Sequence, residues 1–250
     1  MGSLGAVPTA GVNLAPSTPA PPAPDPLAVT RFVQAQVRAG GAPLSRGTQS
    51  RVYLYQDQSG RYVIKTPRDG LVGACIGRWM MLREWRIYQR LEGLAGVPRC
   101  HGLIDGRYLL LDFVDGETFR SAQHRLTADD PFFDRLGRLI AALHARGVAH
   151  TDLKRKDNLL VLADGTPCLI DFGAAMQRRQ GPLSRTLFLM GRQFDRNAWI
   201  KLKYNGYRGV SPDDLHHLRR LPIERVSHWI KRRLRHLRRA AMKHRGSDQP

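Results

Sequence analysis

The chain has 250 residues, 42% of them hydrophobic and 24% charged, which is the composition of a globular protein with a real core in one or two compact units. Its net charge of +19 favours anionic partners such as nucleotides, nucleic acid or an acidic membrane face. Three widely spaced cysteines, Cys75, Cys100 and Cys168, exclude a disulfide framework and offer no zinc spacing, and no run of 18 apolar residues provides a spanning helix. Reduced thiols in a cytosolic compartment are the expectation.

Residues 1–26 are rich in Pro, Ala and Gly and nearly uncharged, without the basic start and continuous apolar block of a signal peptide; the composition predicts a disordered arm. From Leu27 to about Gly41 a short helix is expected, with Leu27, Phe32, Val33 and Val37 roughly in helical spacing. "RVYLYQDQSGRYVIK" reads as two strands joined at Gln58-Ser59-Gly60. "GRWMMLREWRIYQRLEGL" repeats apolar residues at Met81, Trp85, Tyr88 and Leu91, a helical recurrence that Gly93 and Gly96 stop. "GRYLLLDFV" is a buried strand closed by Asp115-Gly116. A helix then starts near Pro131, with Phe133, Leu136, Ile140 and Leu143 on one face and Gly147 at its end. "LLVLADGTPCLIDFG" reads as two strands around an Asp164-Gly165 turn. A strand-rich part to about Gly116 followed by a more helical part makes the fold class α+β. Basic charge gathers at the end: from Gly181 onward there are 17 Lys and Arg against 5 Asp and Glu, and Val226, Trp229, Ile230, Leu234, Leu237 and Ala241 form an apolar stripe within it.

"HTDLKRKDNLLV", residues 150–161, and "LIDFG", ending at Gly173, carry the chemistry. Asp171 follows Asp152 by 19 residues with a strand pair between them, so the hairpin brings both flanking loops to one end and lets Asp152, Asn158 and Asp171 converge. Two hard oxygen ligands, Asn158 and Asp171, suit Mg²⁺, which keeps phosphates and waters in its other positions. Asp152 is then free to take a proton from an attacking hydroxyl, and Lys154 to offset phosphate charge.

These motifs resemble the protein-kinase-like fold: "HTDLKRKDN" is similar to that family's catalytic loop and "DFG" to its metal-binding motif. The resemblance implies a bilobal architecture and ATP with Mg²⁺ as cofactors. It makes Lys65 the strand lysine that holds nucleotide phosphates and Glu84 its ion-pair partner. "LSRGTQSRVY" resembles the phosphate-covering loop, with Gly47 as its middle glycine and Ser45 and Ser50 in place of the outer two; Ser50 and Val52 are thereby nucleotide contacts. "LLLDFVDG" resembles the hinge, where backbone near Asp112 and Val114 would meet adenine and Leu111 would sit behind.

Three features depart from the family. Six residues separate Asp152 from Asn158 where five are usual, so either the loop carries one extra residue or Asp157 takes the metal position; Asn158 is favoured because "NLLV" keeps register with the next strand. Thr151 replaces an arginine that often pairs with an activation-segment phosphate, which disfavours switching by phosphorylation at Ser184 or Thr186. Nothing after Gly173 resembles the family's Ala-Pro-Glu motif, so the usual peptide platform is absent or reduced. With these departures the chain resembles the compact bacterial branch that includes the heptose and Kdo kinases of the lipopolysaccharide core and, more distantly, the RIO kinases.

The resulting expectation is an arm at 1–26, an N-lobe and hinge at 27–116, a reduced C-lobe at 117–225 and a basic amphipathic helix and tail at 226–250. The acceptor is expected to be a core sugar or related glycolipid, with protein serine/threonine side chains as the alternative. A non-catalytic scaffold on RNA or membrane is a further alternative, and the scarcity of aromatics among the tail's cations weakens the RNA version. A tail at 226–245 lying on an anionic leaflet would place the protein in the cytoplasm at the inner face of the inner membrane; docking of the same apolar stripe on the C-lobe is the competing arrangement.

Overall fold

A computed structural model describes residues 23–39, 41, 43–46, 50–67 and 71–219. Residues 1–22 of the expected arm, Gly47 of the expected phosphate loop and the basic segment 226–250 lie outside the described residues.

Helix α1 (Pro26–Arg38) begins inside the stretch expected to be an arm, because Asp25 caps it by accepting from the Leu27 and Ala28 amides and Pro26 opens its first turn. Its buried face is Val29 and Val33, one turn apart; Leu27 and Val37 of the expected stripe are exposed. β1 (Ser45–Arg46), β2 (Ser50–Asp57), β3 (Gly60–Pro67), β4 (Cys100–Ile104) and β5 (Tyr108–Asp112) form one antiparallel sheet in the order β1-β2-β3-β5-β4. The two-residue period of a strand divides its side chains between two cores. Tyr62 and Ile64 of β3, with Tyr108 and Leu110 of β5, face α1; Val63, Leu109 and Leu111 face the other way, into the main core. Lys65 shares that second face and is thereby turned inward.

Helix α2 (Leu71–Arg90) packs on the second face and starts six residues before the expected Gly77. Strand β4 was not foreseen: "CHGLI" does not alternate, and its register slips between Cys100 and Gly102. Cys100 and Cys168 are free thiols, and burial pushes them up to about 11 and about 12.

Beyond the short β6 (Glu117–Thr118) and α3 (Phe119–Ala122), helix α4 (Pro131–Ala145) buries Phe133, Leu136, Ile140 and Leu143, as its periodicity required. Then come β7 (Val148–Ala149), the hairpin of β8 (Leu159–Val161) and β9 (Pro167–Leu169), and β10 (Met176–Gln177), which pairs back on β7. Helix α5 (Pro182–Lys203) is the largest element that the sequence reading missed. Its buried face runs Phe188, Gly191, Asp195, Ala198 and Leu202, so a glycine and an aspartate interrupt the apolar stripe that periodicity detects. Gly191 is needed there: a Cβ would lie 3.0 Å from the Ala149 Cβ and 3.2 Å from Thr151 Cγ2. The short α6 (Pro212–Leu215) ends the described chain.

One continuous core runs from Met81 and Tyr88 of α2 through Leu109 and Leu111 to Phe132, Leu143, Leu159, Phe172 and Leu202. The result is the bilobal protein-kinase-like α+β fold that the motifs implied, with a strand-rich N-lobe and a mostly helical, reduced C-lobe.

Candidate active site

Lys65 Nζ lies 2.7 Å from Glu84 Oε1 and 2.8 Å from Asp171 Oδ1, so one ammonium joins the sheet, helix α2 and the segment after β9. The Lys65 and Glu84 side chains are 8% and 2% exposed, and charges so buried persist only when paired. Burial by itself would lower the Lys65 pKa, but the attraction of Glu84 and Asp171 outweighs it and raises the ammonium above the ordinary lysine range. Burial pulls Asp171 upward, and the Lys65 charge with its hydrogen bond more than reverses this, leaving the carboxyl below its ordinary value.

The hairpin does what the spacing required. Leu159 pairs with Leu169, and the Ile170 amide donates to the Asn158 carbonyl at 3.0 Å, which sets Asn158 beside Asp171. The buried Asn158 also donates through Nδ2 to the Asp152 carboxylate at 3.1 Å and to the Asp152 carbonyl at 3.3 Å. Its neighbour Asp157 is held differently: Arg120 grips it with two hydrogen bonds of 2.7 and 2.9 Å, and this pairing lowers its pKa.

Two non-glycine residues beside this cluster take positive φ, Thr151 at 64° and Asp171 at 65°. For a β-branched threonine this is strained by about 1–3 kcal/mol and needs external restraint. The buried Asp195 of α5 supplies it by accepting from the His150 amide at 2.8 Å and the Thr151 amide at 2.7 Å, while His144 Nε2 lies 2.9 Å from the same carboxylate. The Thr151 hydroxyl donates to the Ala174 carbonyl at 2.9 Å, tying the 150–158 segment to the chain after Asp171. From α2, Arg83 donates to the Gly173 carbonyl at 2.6 Å and also to that of Ala175. Asp195 and Arg83 escaped the sequence reading; each acts on backbone atoms, and no motif spacing announces that.

A cleft of about 470 Å³ opens between the lobes. Ser50, Val52, Lys65, Asp112, Val114, Asn158 and Asp171 line it, all of them anticipated, as was Leu111 behind the hinge. Asp157, the alternative metal position, lines it as well, and Phe113, Thr118, Arg155, Leu160 and Ile170 are among the wall residues that had not been anticipated. Asp112 Oδ1 accepts from His101 Nε2 at 2.6 Å, fixing the hinge end of β5 against β4. Three anticipated residues stand outside the lining. Glu84 sits behind Lys65, and Asp152 is joined to the cleft through Asn158. Lys154 is exposed, its Nζ 6.0 Å from the Phe194 ring. Gly47 lies outside the described residues.

A lysine bridging two carboxylates, beside an amide and a further carboxylate in a largely apolar interlobe cleft, resembles the constellation of the protein-kinase-like class. Comparison with known proteins points the same way. The model of the phosphotransferase enzyme family (APH) matches residues 40–154. The chain is 29% identical over 153 residues to serine/threonine-protein kinase PknD of Chlamydia trachomatis, which covers 53% of this chain and 16% of that protein. It is 34% identical over 149 residues to a probable SapB synthase of Streptomyces coelicolor, 50% of this chain and 16% of the relative. A probable serine/threonine-protein kinase PknB of Lactococcus lactis is 31% identical over 158 residues, 59% of this chain and 25% of the relative. The chain thus spans a quarter or less of the length of these relatives. Together these similarities support the protein-kinase-like superfamily.

Proposed function

We propose that the chain is an ATP-dependent kinase that moves the γ-phosphate of ATP to a hydroxyl group, with a sugar of the lipopolysaccharide core or a related glycolipid as acceptor. The observation that carries the phosphotransfer reading is the Lys65 ammonium held between Glu84 and Asp171 at the wall of the interlobe cleft. In this reading Lys65 holds the nucleotide phosphates, oriented by Glu84. Ser50 and Val52 cover the nucleotide together with Gly47, and backbone near Asp112 and Val114 meets the adenine.

The donors present fit Mg²⁺. Asp171 offers a carboxylate, and Asn158, whose amide nitrogen is engaged by Asp152, offers its amide oxygen. Mg²⁺ takes few protein oxygens and completes its shell with phosphate and water, which suits this pair of donors. When bound, Mg²⁺ would neutralise phosphate charge as the bond to the leaving group breaks. The Arg120 pairing of Asp157 favours Asn158 as the ligand. Asp152 Oδ2, positioned by Asn158 Nδ2, takes the acceptor's hydroxyl proton, and Lys154 offsets charge from the exposed side.

The acceptor reading rests on the shortness of the connection beyond the site. After β10 only the residues between Gln177 and Pro182 separate the strand from α5, which leaves little chain to build a peptide platform. The similarity to PknD and PknB, both named as serine/threonine-protein kinases, favours the second reading, a serine/threonine protein kinase. The basic segment 226–245 supports peripheral contact with an anionic membrane that presents the glycolipid, at the inner face of the inner membrane; among the described residues no helix is long and apolar enough to cross one. The test is ATP consumption with Mg²⁺ against core-oligosaccharide acceptors and basic protein substrates, in wild type, Asp152→Ala and Asp171→Ala. The expected result is turnover on the sugars, reduced about 10²–10⁴-fold in Asp152→Ala. Turnover on protein alone promotes the second reading, and undiminished rates in both variants remove the mechanism.

A further inference from the structure

A second concavity lies behind the catalytic segment, where the ends of α2, α4 and β10 meet the start of α5. It has a volume of about 770 Å³ and shares no lining residue with the interlobe cleft. Arg90, Arg146, Arg178, Arg179 and Arg185 line it, and no Asp or Glu does. The five guanidinium groups are exposed around one hollow, where together they raise a positive potential that a bound anion would relieve. Among the described residues none of the five forms an ion pair with a carboxylate. Arg90 and Arg146 are instead fixed by donating to backbone carbonyls, those of Arg178 at 3.3 Å and Glu92 at 2.7 Å. The floor is set by the Arg178 amide donating to the Gly147 carbonyl at 2.8 Å. Gly147 takes a φ of 73°, the left-handed region that favours glycine, where the chain turns at this floor.

The same hollow receives the N-terminus of α5. Gly181 and Pro182 line it, the 22-residue helix has no side-chain cap, and its first turn carries no acid. Free N–H groups and the positive end of the helix dipole therefore add to the field of the arginines. The excess positive charge is felt nearby: besides burial, the charge of Arg179 lowers the pKa of Arg83.

We infer that this hollow is a binding site for a phosphate-bearing anion of at least two negative charges, separate from the nucleotide cleft. Guanidinium forks match phosphate oxygens two at a time, which favours phosphate over a single carboxylate. The volume exceeds that of one phosphate and falls within the range of small-molecule sites, so the ligand is a polyphosphate or a phosphate ester on a larger body. The 226–245 segment is not its complement, because it contains no Asp or Glu. The assignment does not depend on the phosphotransfer reading.

The probe is sodium tripolyphosphate, titrated calorimetrically into the full chain at constant ionic strength. Three proteins are compared: wild type, the pair Arg179→Gln/Arg185→Gln, and Lys65→Met as a variant of the cleft. Among the described residues neither the Arg179 nor the Arg185 side chain makes a hydrogen bond, so the pair should fold normally, which an unchanged unliganded melting temperature verifies. The expected result is binding that the arginine pair weakens at least about tenfold and that Lys65→Met, titrated well below its own melting temperature, retains. Loss in Lys65→Met with retention in the arginine pair would place the anion in the cleft and overturn the assignment. Vesicles with and without phosphatidate identify the source. A drop in phosphatidate-dependent binding in the arginine pair makes it a lipid headgroup; unchanged vesicle binding beside weakened tripolyphosphate binding makes it a free phosphorylated molecule. Binding of neither probe, or equal binding by wild type and the pair, refutes the site.

Discussion

At the scale of single residues, Lys65 decides the site, because the strand period turns its charge inward and leaves Glu84 and Asp171 to meet it. Lys65→Met leaves Glu84 buried without a partner, and breaking such a pair costs about 3–5 kcal/mol. The double variant Lys65→Met/Glu84→Gln should lose less than the sum of the single losses, since it removes both charges; urea denaturation of the four proteins checks this, and strict additivity would dissolve the coupling. The same triad sets two pH limits. The folded Asp171 pKa is depressed, so its contribution is complete above the ordinary carboxylate range near about pH 4 and is lost as pH falls through the depressed value. The folded Lys65 pKa is raised, so its contribution is complete below about pH 10 and is lost as pH rises through the raised value. Asp171→Asn should flatten the acid limb of stability against pH; an acid limb of unchanged steepness would show that the carboxylate is not coupled to folding.

At the scale of elements, helix α5 organises the 150–158 segment from beneath. Asp195 accepts two consecutive amides and meets His144, while Gly191 lets the helix backbone approach Ala149 and Thr151. Asp195→Asn keeps the size of the side chain but replaces one acceptor oxygen with a donor that faces an N–H. The expected outcome is a loss of about 1.5–3 kcal/mol, seen in the denaturation midpoint, with ATP turnover reduced as the Thr151 turn relaxes. Wild-type stability and turnover in this variant would mean that the φ of Thr151 is held by other contacts. This part of the site was invisible in the sequence, because a helix whose buried face includes Gly191, Gln193, Asp195 and Asn197 has no clean apolar period. Helix α4, whose Phe133, Leu136, Ile140 and Leu143 all face the core, was legible for the opposite reason.

At the scale of the whole molecule, basic charge concentrates in two places, five arginines around a hollow built by the fold and eight Lys and Arg in the run 226–245 written in the sequence. Removing residues 226–250 should weaken binding to anionic vesicles and reduce its salt sensitivity if that segment contacts the membrane, each near-surface cation contributing about 1 kcal/mol. Binding that is unchanged and insensitive to salt would favour the docked arrangement of Val226, Trp229, Leu234 and Leu237. Because the truncation leaves Arg179 and Arg185 in place, it separates the segment from the hollow.

The local code of this chain determined its strands at 51–65, its helix from Pro131 and the Asp164-Gly165 hairpin, and motif order anticipated that Lys65 meets Glu84 and that Asp152 and Asn158 come together near Asp171. Each depends on short-range periodicity or on spacing along one chain, which a sequence carries intact. The tertiary structure alone decided which of Asp157 and Asn158 is gripped by Arg120, that Asp195 and Arg83 restrain the backbone around the site, and that Lys154 stands outside the cleft. It also gathered five arginines, spread from Arg90 to Arg185, around one hollow. Those outcomes depend on which distant elements come into contact, and charge or hydrogen-bonding capacity at a position does not disclose its partner until the chain is packed.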